Sequence, residues 1–172
     1  QYYCEKRGPD FEAKMHEILL VYKQIEMLFD ENGELFIPAG EHDVHTYSYD
    51  EKPGIQAIAT TGKDLNPTTN CGTIKRDYEY KRLGTVSLLA AIDLTGEAVP
   101  LVRDKHTSDD FIDFLKILNE KYPEGDIIRV ILDNHTVHTS KKVKAFLATM
   151  PGRFIFIFTP KHGSWLNMIE GF

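Results

Sequence analysis

The sequence has little cysteine and no long apolar run. Its two cysteines, Cys4 and Cys71, are too few for a disulfide framework and lack the spacing of a metal site, which is typical of a reducing compartment. No apolar run approaches the roughly 20 residues that a membrane-spanning helix needs, and residues 1–9 lack the apolar core of a signal peptide. These absences predict a cytoplasmic protein without a membrane partner.

Positive charge is also scarce. The 172 residues include 20 Lys and Arg against 26 Asp and Glu, which gives a net charge of −6. Because phosphate contacts require a basic surface, this balance argues against an obvious nucleic-acid binder. Basic residues are nevertheless clustered at 75–76, 81–82, 103–105 and 141–144. Each cluster is explained equally well as ordinary solvated surface.

Several catalytic fingerprints are missing as well. The sequence contains no P-loop and no dinucleotide-binding glycine pattern. Ser164, which follows His162 and Gly163, lacks the second glycine of a nucleophile elbow. Serine hydrolases and nucleotide-cofactor enzymes are therefore disfavoured.

Residues 1–40 are predicted to form a connector helix and a linker. Apolar residues recur at spacings of four and three from Phe11 to Phe29, which predicts one apolar stripe along a helix. Asn32-Gly33, Pro38 and Gly40 then break the pattern. A second unit, residues 41–172, is long enough to bury one core of its own.

The second unit alternates strand and helix signals. Residues 44–49 predict a strand that closes in a turn at Asp50 to Gly54, and residues 85–92 and 98–102 predict a hairpin. Two strands, 127–132 and 154–158, follow helices expected to start at Ser108 and near Ser140, and Ser164 is expected to cap a last helix. This order predicts an α/β fold, a mixed sheet flanked by helices.

Two acids follow predicted strands, Asp50 after residues 44–49 and Asp133 after residues 127–132. The carboxyl ends of strands form crevices in such sheets, so the two aspartates would lie side by side if their strands are neighbours. Carboxylates that close repel unless a cation separates them, and oxygen ligands suit Mg²⁺ or Mn²⁺. Glu170 on the last helix would complete a cage for two ions about 3.5 to 4 Å apart. A solvated turn aspartate remains the alternative for each.

Polar neighbours of these acids could support them. Asn167 lies three residues before Glu170 and could orient its carboxylate or a bound water, while Asn134 and His135 directly follow Asp133. His135 and His138 have a spacing that can share a metal on a helix. No further His or Cys is spaced to complete a tetrahedral zinc site, so zinc is disfavoured.

Three blocks of sequence carry a family resemblance. They are residues 48–57 (SYDEKPGIQA), 131–135 (ILDNH) and 159–170 (TPKHGSWLNMIE). They closely resemble the signatures of DDE-type transposases of the bacterial insertion-sequence-630 family, within the mariner superfamily. The resemblance extends over nearly the whole chain.

The resemblance implies a fold and an activity. The family's three catalytic, metal-binding acids fall on Asp50, Asp133 and Glu170, in an RNase H-like catalytic domain over residues 41–172 whose last helix is truncated. It implies DNA cleavage at transposon ends by water, joining of the 3′ hydroxyl to target DNA, dependence on Mg²⁺ or Mn²⁺ with two ions, and a homodimer. Candidate DNA contacts are Lys52, Arg103, Lys161 and His162. Members of the family usually carry helix-turn-helix DNA-binding units ahead of the catalytic domain, and no such unit is visible in residues 1–40.

Two alternatives stay open at this point. Another RNase H-like nuclease could use the same carboxylates on RNA hybrids or branched DNA. The chain could also be a catalytically inactive fragment in which the stripe from Phe11 to Phe29 docks on a partner.

Overall fold

The computed structural model describes residues 7–34 and 42–171. Its helices and strands, in chain order, are α1 (Phe11–Glu26), β1 (Val44–Thr60), β2 (Tyr80–Asp93), β3 (Ala98–Arg103), α2 (Ser108–Lys121), β4 (Ile127–Leu132), α3 (Lys141–Ala148) and β5 (Phe154–Phe158). Most of the predicted linker, residues 35–41, lies outside the described residues. In the part of the chain that is described, no helix has the length and apolarity to cross a membrane.

The five strands form one mixed sheet in the order β3-β2-β1-β4-β5. Strands β1, β2 and β3 pair antiparallel, whereas β4 pairs parallel with both β1 and β5. The predicted hairpin is β2 and β3, and its turn contains Gly96 at φ +113°, a backbone conformation that glycine adopts without a steric penalty. The prediction of an α/β fold with a mixed sheet flanked by helices is confirmed.

Both faces of the sheet are covered at β4, in which five of six residues are apolar. Ile128, Val130 and Leu132 belong to the core beneath α2 and α3, while Ile131 belongs to a second core with Ile18 of α1. Successive side chains of a strand point to opposite faces, so a strand that is apolar on both faces requires a layer of helices on each side. Helix α1 therefore packs on the sheet as one of its covering layers.

Strand β1 differs from the prediction. The turn expected at Asp50 to Gly54 is wrong, since the strand continues through Asp50 to Thr60 and pairs with β2. The pairing register shifts between Lys52 and Ile55, and Gly54 has φ +72°. Pro53 and Gly54 thus form a bulge, which bends a strand without ending it. Residues 61–79, between β1 and β2, contain isolated bridges at Leu65–Lys75 and Thr68–Cys71.

Two helix starts also differ. Helix α2 is capped by Thr107, not Ser108, because Thr107 and Asp110 form a reciprocal capping box. The expected last α-helix is absent from the described residues. Its place is taken by two short 3-10 segments, Ser164–Leu166 and Met168–Gly171, separated by Asn167 in an extended conformation. Ser164 caps neither of them; α3, in contrast, has the predicted Ser140 cap, which accepts from the Val143 amide.

Candidate active site

The pairing of β1 with β4 brings Asp50 and Asp133 to the same edge of the sheet. The last paired residues are Ser48 and Ile131, and each aspartate lies two residues beyond its paired residue. Neighbouring strands lie about 4.8 Å apart. The two carboxylates, from residues 83 positions apart in sequence, are therefore neighbours in space.

Glu170 reaches this edge on the second 3-10 segment. The segment is fastened to β1 by Asn167, whose buried amide donates to the Tyr49 carbonyl at 2.8 Å and accepts from the Ser48 hydroxyl. The Ile169 amide also donates to the Ser48 hydroxyl, at 2.9 Å. Asn167, a candidate support for the Glu170 carboxylate, thus acts on the main chain that carries it, because its own polar atoms are engaged with β1.

Asp50 and Glu170 line one cleft of about 580 Å³. Its walls also include Glu51 and Lys52, and its floor is apolar, formed by the faces of β2 and β3 at Leu88, Ala90, Ile92 and Pro100 and by Ile169. Polar groups are thus concentrated at one end of an otherwise apolar depression, an arrangement common among ligand sites.

The electrostatics of the site oppose ionisation of Asp50. Burial raises the pKa of its carboxyl, and the nearby charges of Glu51, Asp133 and Glu170 raise it further, against one stabilising hydrogen bond from the Glu51 amide. Like charges held together favour protonation unless a cation compensates. The same interactions place Asp133 and Glu170 within electrostatic reach of Asp50.

A buried carboxylate and imidazole adjoin these acids, and only part of this pair was considered from the sequence. The Glu51 carboxylate lies 2.8 Å from His138 Nε2 and accepts a hydrogen bond from the Tyr49 hydroxyl at 2.9 Å. The side chains of Glu51 and His138 are 8% and 1% exposed. Glu51 is 87 residues from His138, and the one available signal was its position directly after Asp50.

The structure brings Glu51 to the two histidines that sequence spacing had singled out. Ligand atoms of Glu51, His135 and His138 all lie within 4.8 Å of one another. The sequence has no further His or Cys spaced to join these histidines, but a distant carboxylate, Glu51, offers a third potential ligand atom. His135 also donates its main-chain amide to Asp133 Oδ1 at 2.9 Å, and Asn134 donates its side-chain amide to the Thr159 carbonyl.

The four candidate DNA contacts are spread around this edge. Lys52 lines the cleft, whereas Arg103, at the end of β3, lies 3.7 Å from Asp110 and 3.8 Å from Asp113 of α2. Lys161 and His162 are exposed on the turn after β5, where His162 has φ +62°. Lys52 is thus next to the acids, and Arg103 has its charge partly balanced by α2.

Comparison with known families identifies the chain. The family model described as "DDE superfamily endonuclease" matches residues 45–172. The matched residues are most of the chain, and the chain belongs to this family. Asp50, Asp133 and Glu170 all lie within the matched residues.

Individual relatives are more distant. An uncharacterised 39 kDa protein of insertion element IS630 from Shigella sonnei is 30% identical over 76 residues, which are 44% of this chain and 22% of that protein. Among solved structures, the Mos1 mariner paired-end complex with Mn is similar with a TM-score of 0.43 and 14% identity, over 91% of this chain and 45% of that one. The HTLV-2 integrase catalytic core domain in complex with magnesium has a TM-score of 0.41 and 16% identity, over 77% and 73%. The chain thus matches about a fifth of the length of the curated relative.

Proposed function

We propose that this chain is the catalytic core of a transposase, in which Asp50, Asp133 and Glu170 hold divalent cations for DNA strand cleavage and strand transfer. One observation carries the proposal. Acids from distant parts of the chain approach one sheet edge, where burial and the charges of Glu51, Asp133 and Glu170 raise the pKa of Asp50. A stable fold has no need to gather like charges, so their convergence is a functional signal.

The donor set fits Mg²⁺ or Mn²⁺. All three side chains offer oxygen ligands, and their combined negative charge requires compensation by a cation. When two ions are bound, they would stabilise the attacking and the leaving oxygen of an in-line displacement at phosphorus. The role of the three acids is to hold that charge at the edge of the cleft, beside the phosphodiester.

The reaction would take place in two displacements. In the first, a water oxygen forms a bond to the phosphorus at the transposon end, and the bond to the 3′ oxygen breaks, releasing a 3′ hydroxyl. In the second, that hydroxyl attacks a target phosphodiester, forming a new bond and releasing the target's own 3′ hydroxyl. The likeness to an insertion-element protein favours cleavage followed by strand transfer over simple hydrolysis by another nuclease.

Other residues would bind the nucleic acid. Lys52, beside the acids, is the candidate contact to the scissile strand, with Lys161 and His162 on the turn after β5 and Arg103 at the end of β3. The partners are transposon ends and target DNA, bound by a homodimer in the bacterial cytoplasm. Residues 1–40 would act as the connector to units that recognise the transposon ends.

The test is cleavage of plasmid DNA that carries the terminal repeats flanking this chain's own gene. The expected result is nicking at the repeat ends and joining to a second DNA, in Mg²⁺ or Mn²⁺ but not in chelator, with loss of both reactions in Asp133→Asn. Cleavage of RNA hybrids or branched DNA without transfer would indicate another nuclease. Metal-dependent cleavage that persists in Asp133→Asn would contradict the assignment of the site.

A further inference from the structure

The buried pair of Glu51 and His138 connects the two strands that carry the aspartates. Glu51 directly follows Asp50 on β1. The other ring nitrogen of His138, Nδ1, lies 3.2 Å from the main-chain oxygen of Asp133 and 3.4 Å from its carboxylate. A single imidazole thus spans from the neighbour of the first acid to the second acid itself.

The surroundings of this pair hold it rigidly. Tyr49 is fully buried, and burial raises the pKa of its hydroxyl, which keeps the proton that it donates to Glu51. The His138 ring packs against the rings of Tyr49 and Phe111, with centroids 5.6 and 4.6 Å away. The main chain between Asp133 and His138 is closed by a bond from the His138 amide to the His135 carbonyl at 3.1 Å.

We propose that Glu51 and His138 form a brace that fixes Asp50 and Asp133 relative to each other, so that the two carboxylates can share cations. The inference rests on the proposed function of those aspartates as cation ligands. Glu51 and His138 are positioning residues, since they act through the acids. Hydrogen bonds that orient metal ligands commonly contribute 10- to 100-fold, in order of magnitude, to metal affinity.

The cluster of Glu51, His135 and His138 could instead be a metal site of its own. The hydrogen-bond pattern favours the brace, because one oxygen of Glu51 already accepts from both Tyr49 and His138 at 2.9 and 2.8 Å. The His138 Nδ1 faces Asp133 rather than open space. Both ring nitrogens of His138 therefore already have an oxygen partner within the protein, one on Glu51 and one on Asp133.

The experiment measures Mn²⁺ affinity by the loss of the electron paramagnetic resonance signal of free Mn²⁺, together with Tm. Variants Glu51→Ala and His138→Ala are expected to weaken Mn²⁺ binding by about 10- to 100-fold. Glu51→Gln keeps an oxygen that accepts both hydrogen bonds, so it is expected to stay within a few-fold of the unchanged chain. The matched control is His45→Ala, which breaks a half-buried histidine–carboxylate pair at the opposite end of β1 and β4, His45 with Asp126 at 2.9 Å, and should lower Tm without changing Mn²⁺ affinity.

The outcomes separate the brace from the proposed function. Unchanged Mn²⁺ affinity in folded His138→Ala, or equal losses in Glu51→Gln and Glu51→Ala, would overturn the brace. Asp133→Ala in the same titration tests the acids themselves, and if it leaves Mn²⁺ affinity unchanged the proposed function fails independently. Zn²⁺ that raises the Tm of the unchanged chain but not of His135→Ala would identify a metal site at the cluster and would also overturn the brace.

Discussion

The two ends of strands β1 and β4 each carry a histidine beside a carboxylate, half-buried at the amino end and buried at the carboxyl end, but the charges of the two pairs are balanced differently. At the amino end, His45 lies 2.9 Å from Asp126 and stacks on Tyr122 with centroids 3.5 Å apart. The hydrogen bond from His45 lowers the pKa of Asp126 below its ordinary value. At the carboxyl end, burial and neighbouring acids raise the pKa of Asp50. One end stabilises its carboxylate and the other destabilises it.

The difference indicates that the two ends of the strands have different roles, one structural and one in ligand binding. Near the amino end, Arg153 donates hydrogen bonds to Asn119, Tyr122, Pro123 and Asp126, so the charge is fully engaged in holding β5 to the end of α2. At the carboxyl end, the charges of Glu51, Asp133 and Glu170 all act on Asp50, while His138 contacts Glu51 and Asp133. Charges that are paired within the protein stabilise the fold, whereas a cluster of like charges is typical of a ligand-binding site.

The largest effect is expected from Asp50→Asn. Removing one of three proposed cation ligands should reduce the rate of metal-dependent DNA cleavage by about 1,000-fold or more, equivalent to ~4 kcal/mol of barrier. The same substitution should increase the stability of the fold. Because the folded-state pKa of Asp50 is raised, its ionisation disfavours the folded state above that pKa, so Asp50→Asn should increase Tm at pH 7 in chelator.

Thermal denaturation with and without Mn²⁺ checks this prediction. Added Mn²⁺ should raise the Tm of the unchanged chain and have little effect on Asp50→Asn. A lower Tm for Asp50→Asn in chelator would mean that the Asp50 carboxylate stabilises the fold as the Asp126 carboxylate does. The two ends of the strands would then not differ in this respect.

The next largest effect is expected from Arg153→Ala, at the amino end. The change removes all of the hydrogen bonds from the guanidinium and leaves main-chain oxygens at the end of α2 without a donor, at a cost of about 3 kcal/mol in the free energy of unfolding. Urea denaturation measures it. Arg153→Lys keeps the charge but loses the planar fork, so it should restore only part of the loss.

The Mn²⁺ affinity of Arg153→Ala tests whether the amino end also affects the proposed cation site. Arg153→Ala should leave the affinity of the folded chain unchanged, since the substitution is at the end of the sheet remote from Asp50. A parallel loss of Mn²⁺ binding would show that the two ends are coupled through the strands.

Much of this contrast could be predicted from the sequence. The apolar run before Asp133 predicts a strand buried on both faces, and β4 has both of its faces covered. The three acids were found because strand ends and family signatures both point to them. Patterns of this kind are local, and local periodicity is what a single sequence reports well.

The parts that were missed depend on distant contacts. Asp50 was expected at a strand end because Pro53 and Gly54 usually end strands, but pairing with β2 over Ile55 to Thr60 carries the strand through a bulge. The last helix was expected from Ser164 onward, but the Asn167 amide bonds to β1 and interrupts it. Glu51 and His138 meet only after β1 and β4 pair. Tertiary contacts override local propensity at each of these positions.

The smallest effect is expected from Asp126→Asn, and it depends on pH. The folded-state pKa of Asp126 lies below its value of about 3.9 in an unfolded chain, so its charge contributes stability above that pH, and the contribution is lost as pH falls through the folded-state pKa. The variant should therefore have a lower Tm than the unchanged chain at pH 6, with the difference closing below about pH 4. Taking the difference between the two proteins at each pH removes the titration of the other carboxylates. His45→Gln, which alters the partner alone, should narrow the difference in the same pH range. If the difference in Tm between Asp126→Asn and the unchanged chain stays constant down to pH 3, then His45 does not stabilise the ionised carboxylate of Asp126. In that case the amino end would have no stabilised acid to contrast with Asp50.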